Sequence, residues 1–179
     1  MPITAENGYV FVPRREWDRD CDFPPRNLRD GIREVYIHHS VTPATDNPCK
    51  DARLVDAVLV GRGLAGYSFL VHPSGTVLEL AGFDHVGEHT SWQNSESIGI
   101  CFIGNMMVDK PTLGSLVAAA RTVNLGKLGG HIAADMPIEQ ILPHQAVKQT
   151  ACPGSNLLEP WINGRSGMDW IRWFTATSA

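Results

Sequence analysis

The apolar positions of this chain fall into two kinds of run. Short β-branched or aromatic stretches stand at 35–39 (VYIHH), 67–80 (YSFLVHPSGTVLEL) and 97–104 (SIGICFIG), and longer runs with helical spacing stand at 50–62 and 112–129. The pattern predicts a strand over 35–39 and a hairpin over 67–80 around a Pro73-Ser74-Gly75 turn. The nearly continuous apolar run at 97–104 suits a strand buried on both faces. Between Lys50 and Arg62, Leu54, Val55, Val58 and Leu59 share one helical face, which Gly61, Gly63 and Gly66 bring to an end. A second helix is predicted over 112–129, opened by Pro111 or Thr112 and closed by Gly129-Gly130. From Gly167 a short amphipathic helix would pack Trp170, Ile171, Trp173 and Phe174. Residues 42–48 and 141–154 read as loops. Strands interspersed with helices predict an α/β domain, with one central mixed sheet flanked by helices.

Residues 1–34, rich in Arg, Asp and Pro, read as an N-terminal wrapping arm anchored by Trp17. The core would span 35–160, and 161–179 would form the tail or short helix. A chain of 179 residues is long enough to bury a core as one domain. Its net charge of −4, with no basic stripe, excludes general nucleic-acid binding. No apolar run reaches the length of a membrane span. The first residues lack a basic region followed by an apolar core, so synthesis in a cytoplasm with reduced thiols is expected. Four cysteines, Cys21, Cys49, Cys101 and Cys152, are too few and scattered for a disulfide framework. A Cys21–Cys49 bridge stays open for a protein that ends up outside a cell. Nothing suggests an obligate dimer, so a monomer is expected.

The candidate chemistry is carried by histidines. His38 and His39 are adjacent at the end of a predicted strand, where neighbouring side chains face opposite ways. Only one of them can serve a site on a given side, and the strand alone leaves open which. Cys152 follows His144 by eight positions, a separation that suits a loop curling around an ion. Imidazole and thiolate are good zinc ligands. Alone, however, that pair reads better as a solvated histidine and a packed cysteine. His85 and His89 are four apart, but Gly87 argues against a helix that would bring them together. Cys101 reads as core, and Tyr67 alone as a half-buried strand aromatic.

The order of the pieces adds a resemblance. IHHS, AGYSFLVHPSGTVLE, VGEHTSWQNSESIGICFIGN and HQAVKQTACPG, with RREW near the start, resemble the zinc-dependent N-acetylmuramoyl-L-alanine amidases. Peptidoglycan recognition proteins and amidase-type phage lysozymes share that domain. The likeness runs from about Val12 to Leu158. It implies Zn2+ held by His38, His144 and Cys152, with a fourth position for water. It implies that Tyr67 and Thr150 act beside the metal, orienting water or donating to an oxyanion. Thr150 stands where some phage enzymes carry Lys, and so brings no charge. Cys101 stands where another branch carries a carboxylate base. His89, Thr90, Trp92 and Asn94 would line the substrate groove, Trp92 by stacking on a sugar. His39 would turn away from the metal and support it. His72 and His131 have no matched role.

The function so implied is hydrolysis of the amide between N-acetylmuramic acid and L-alanine in bacterial peptidoglycan. Compact size, the Cys-bearing site and the missing leader favour a phage endolysin, made in the host cytoplasm and acting on the wall after release. Two rivals remain: a non-catalytic peptidoglycan-binding module, and a Cys–His thiol hydrolase using Cys152. Against the last, no helix N-terminus follows closely enough to acidify that thiol.

Overall fold

The computed structural model describes residues 3–5, 9–18, 31–60 and 66–177. Seven strands form one mixed sheet in the order β1-β2-β5-β4-β6-β3-β7. They are β1 (Ile3–Ala5), β2 (Tyr9–Val12), β3 (Glu34–His39), β4 (Phe69–Val71), β5 (Thr76–Glu79), β6 (Ser97–Phe102) and β7 (Ile141–Pro143). β3 runs parallel to both β6 and β7, β4 runs parallel to β6, and β4 and β5 form the predicted antiparallel hairpin. Gly75 supplies the positive φ, +85°, that the hairpin turn requires.

Burial follows the composition of the strands. Every residue of β6 is buried, as its nearly continuous apolar run predicts. One sheet face presents Val35, Ile37, Ile100 and Phe102 to α3 (Leu113–Leu128) and α5 (Gly167–Thr177), forming the larger core. Thr112 caps α3 by accepting the Ser115 N–H at 3.0 Å. The other face carries a smaller cluster of Trp17, Ala52, Val55, Leu70, Leu78, Cys101 and Ile103 beneath α2 (Pro48–Val60). α2 does not bury the whole predicted stripe. Val55 is buried, but Leu54 is half exposed, and Asp51 and Asp56 turn inward. The acids are buried because each finds donors. Asp56 accepts from Arg14 at 2.6 Å, and Asp51 accepts from the Thr45 N–H at 2.6 Å and its hydroxyl at 2.8 Å. The side chains of Val58 and Leu59, like Gly61, Gly63 and Cys21, lie outside the described residues.

Two stretches differ from the sequence reading. Within 1–34, β1 and β2 extend the sheet, and α1 (Arg14–Trp17) buries Trp17 against the smaller cluster. Within 141–154, the chain adds β7 as an edge strand and a 3-10 turn over His144–Ala146. Strands of three or four residues are too short to show a period. Pro143 is tolerated at the end of β7 because this strand lies at the sheet edge. A last short helix, α4 (Ser155–Leu158), follows. The predicted helix over 112–129 and the tail helix are present within two residues of their expected limits.

Ile100 is fully buried in a strand flanked on both sides. Ile100→Ala is expected to lower unfolding stability by about 2–5 kcal/mol. Urea denaturation checks this, and a loss below about 1 kcal/mol would contradict the assignment of this strand to the core.

Candidate metal centre

The site begins with the register of three parallel strands. β3 pairs with β7 so that Ile37 lies opposite Pro143, and His38 and His144 follow directly on each side. Their rings are 4.4 Å apart, centre to centre. β3 also pairs with β6 so that His38 lies opposite Cys101. The chain beyond His144 then curls back. Gln145 N–H donates to the Cys152 carbonyl at 3.1 Å, and Cys152 Sγ comes within 3.6 Å of His38 Nδ1. One ligand atom from each of His38, His144 and Cys152 lies within 4.8 Å of the others.

The Pro153-Gly154 exit has a steric cause. Gly154 has φ +100°, and a Cβ there would stand 2.5 Å from the Met106 backbone carbon. Only glycine lets the loop pack this closely. Thr150 braces the same turn, its hydroxyl accepting the Cys152 N–H at 3.2 Å.

His39 faces the other way, as strand alternation requires. Its Nδ1 accepts the Met106 N–H at 3.0 Å, while its backbone N–H points to Cys152 Sγ at 3.4 Å. The side chain thus holds a loop, and the main chain supports the cysteine.

The trio suits a soft or borderline divalent ion such as zinc. His38 is 1% exposed. Burial, then the neighbouring His89, His144 and His39, hold it well below the usual imidazole value. Burial and Lys148 lower His144. Both rings are therefore neutral at pH 7, with lone pairs available. His144 Nε2 is buried with no hydrogen-bond partner among the described residues, an orphan that a metal ion would satisfy. Burial pushes the Cys152 thiol up to about 11, with the His39 N–H opposing.

Tyr67 lies beside the trio, its ring 5.1 Å from that of His38. The Cys101 sulfur, then burial, then the Cys152 sulfur raise its phenol well above the ordinary value, so the hydroxyl keeps its proton. Cys101 is fully buried, with its own thiol raised by burial. It packs in the smaller core cluster and also reaches Tyr67.

The four expected groove residues are divided. His89 and Thr90 are buried beneath His38, with Thr90 Oγ1 at 3.4 Å from His38 Nε2 and 3.0 Å from His89 Nδ1. Asn94 holds their loop: its Oδ1 accepts the His89 and Thr90 N–H groups at 3.1 and 2.7 Å, and its Nδ2 donates to Glu88 at 3.0 Å. Trp92 is 98% exposed, with φ at +73°. Sequence reasoning missed Gly99. A Cβ there would fall 2.5 Å from the His89 ring, so the glycine makes the histidine's seat. His72 is buried between loop and hairpin, bonded to the Thr45 carbonyl at 2.8 Å and the Ser74 hydroxyl at 2.7 Å. His131 stacks on Phe83 at 5.0 Å. A separate cleft of about 870 Å³ opens beside Thr45, His72, Gly104, Met106 and Lys110, and none of the trio lines it.

With this geometry in view, the comparisons are consistent. Residues 28–155 match the N-acetylmuramoyl-L-alanine amidase family model. The chain belongs to this family. It is 36% identical to a peptidoglycan-recognition protein of Drosophila melanogaster, over 91% of this chain and 92% of that one. It is 32% identical to the N-acetylmuramoyl-L-alanine amidase of Sus scrofa over 76% of its length, which is 24% of that longer protein. Among solved structures, peptidoglycan recognition protein-LE in complex with tracheal cytotoxin aligns with TM-score 0.73 at 28% identity, covering 87% of this chain and 96% of that chain.

These relatives correct one expectation. The family members that it matches include insect recognition proteins, so the reading as a phage endolysin made in a host cytoplasm is overturned. Compact size and a Cys-bearing site, which suggested it, do not by themselves distinguish one branch of the family from another. No helix among the described residues is long and apolar enough to cross a membrane.

The buried histidines set a pH dependence. The folded state lowers the pKa of His38, and that of His89 to about 3, against about 6.5 in an unfolded chain. Their contribution is complete above pH 6.5 and is lost as pH falls below it, because the unfolded chain then binds more protons. The metal-free protein should lose up to about 1.4 kcal/mol per such histidine for each pH unit below 6.5. Urea midpoints measured from pH 7.5 to 5 check this, and a flat profile would contradict neutral burial.

Proposed function

We propose that this chain is a zinc-dependent N-acetylmuramoyl-L-alanine amidase acting on bacterial peptidoglycan. The observation that carries the reading is the convergence of His38, His144 and Cys152 within 4.8 Å at the ends of adjacent strands. Bound by these three side chains, zinc supplies Lewis acidity towards a carbonyl oxygen and lowers the pKa of water.

The chain's own groups do the rest. The neutral Tyr67 hydroxyl, close to His38, donates to the oxygen that gains charge as the amide is attacked. Thr150, fixed against the Cys152 N–H, offers a second hydroxyl with no charge. The exposed Trp92 indole provides a flat apolar face for a sugar ring. Asn94 ties down the backbone of His89 and Thr90 in the loop that leads to Trp92. The substrate would be the muramoyl-L-alanine amide of a glycan strand with its stem peptide. A recognition module that binds this ligand without cutting it is the second reading. It is favoured by the likeness to a recognition protein in complex with a monomeric diaminopimelic acid-type peptidoglycan.

The test combines metal content with product analysis. Purified protein should hold one zinc per chain, release L-alanine amino termini from peptidoglycan, and lose that activity to a chelator. His38→Ala should abolish zinc binding, whereas His39→Ala should keep affinity within a few fold. Tyr67→Phe should keep zinc and lose about 10²-fold or more in rate. Zinc binding without new amino termini would establish the recognition module. Chelator-resistant cleavage that is lost on thiol alkylation would establish a thiol hydrolase.

A further inference from the structure

His38 is the most enclosed of the three trio residues, and its two ring nitrogens face different partners. Nδ1 looks toward Cys152 Sγ at 3.6 Å, and Nε2 toward Thr90 Oγ1 at 3.4 Å. The same hydroxyl meets His89 Nδ1 at 3.0 Å. A threonine hydroxyl has one proton and can accept others. The file of groups therefore has two senses. In one, His89 donates to Thr90 and Thr90 donates to His38 Nε2, which leaves the His38 proton on Nδ1. In the other, His38 Nε2–H donates to Thr90 and Thr90 O–H donates to His89 Nδ1. Only the second leaves the His38 Nδ1 lone pair facing Cys152.

We propose that Thr90 and His89 are positioning residues that fix the tautomer of His38 for metal binding. The inference rests on the zinc reading above. Three further features support it. Thr90 is 2% exposed and His89 8%, so both are held within the fold beside His38. Asn94 pins the backbone of both residues through one carbonyl oxygen, and Glu88 in turn holds Asn94. Gly99, directly opposite Tyr36 in the next strand, has no side chain where the His89 ring sits. The file is thus built from the β6 backbone outward, and its last member is the metal-facing ring. Groups of this kind typically change metal affinity about 10–100-fold when removed.

Thr90→Val keeps the shape and removes the hydroxyl, while Thr90→Ser keeps the hydroxyl. Zinc dissociation constants should be measured by competition with a chromophoric chelator. Thr90→Val should weaken binding about 10–100-fold and Thr90→Ser by less than about threefold. In the zinc-loaded wild type, long-range 15N NMR should show His38 protonated on Nε2 and His89 unprotonated on Nδ1. Equal affinity of wild type and Thr90→Val would overturn the proposal, as would equal losses in the two variants or a His89 proton on Nδ1. The NMR result decides the matter if Thr90→Val fails to fold. Absence of zinc binding by the wild type would overturn the amidase reading itself, a result distinct from a zinc-binding protein that is indifferent to residue 90.

Discussion

Parallel pairing on both sides of β3 is the constraint from which the rest follows. Parallel neighbours end at the same edge of a sheet, so residues that follow matched positions emerge together. His38, Cys101 and His144 come from sites tens of residues apart, yet they share one level because Ile37 is matched to both Ile100 and Pro143. A slip of one residue in β3 would turn His38 into the larger core and His39 toward Cys152. The two fully apolar neighbours in β3, Val35 and Ile37, oppose that slip, since it would move both off the face covered by α3 and α5.

Burial does two things at this edge. It keeps four histidines uncharged and Cys152 protonated, so the fold carries no unpaired ions there. It also makes each ring's hydrogen bonds count, because an unsatisfied nitrogen in such surroundings costs on the order of 1–3 kcal/mol. The structure meets that demand for His39 with the Met106 N–H and for His38 with Thr90. Of the trio's ring nitrogens, His144 Nε2 is the one left buried and unpartnered among the described residues.

Much of this was legible in the sequence. The β6 strand declared itself by a nearly continuous apolar run, the hairpin by its Pro-Ser-Gly turn, and α3 by spacing and cap. The convergence of His38 with His144 and Cys152 was also expected, though from the order of motifs and not from spacing. Other features left no trace at the level of pattern. β7 is three residues long and ends in proline, so no period could show it. The inward turn of Asp51 and Asp56 depends on Thr45 and Arg14, which the helix's own sequence does not mention. His89 and Thr90 were assigned to the groove through the resemblance alone, which says nothing of how deeply they sit. Their burial depends on the missing side chain at Gly99, a tertiary fact.

The Cys152 thiol, raised to about 11, couples the site to solvent acidity in a second way. Any divalent ion that takes this sulfur as a thiolate must first expel its proton. Below that pKa one proton leaves for each ion bound, so occupancy at fixed metal concentration becomes a titration curve. Where the histidines remain neutral, each unit of acidification would weaken apparent affinity about tenfold.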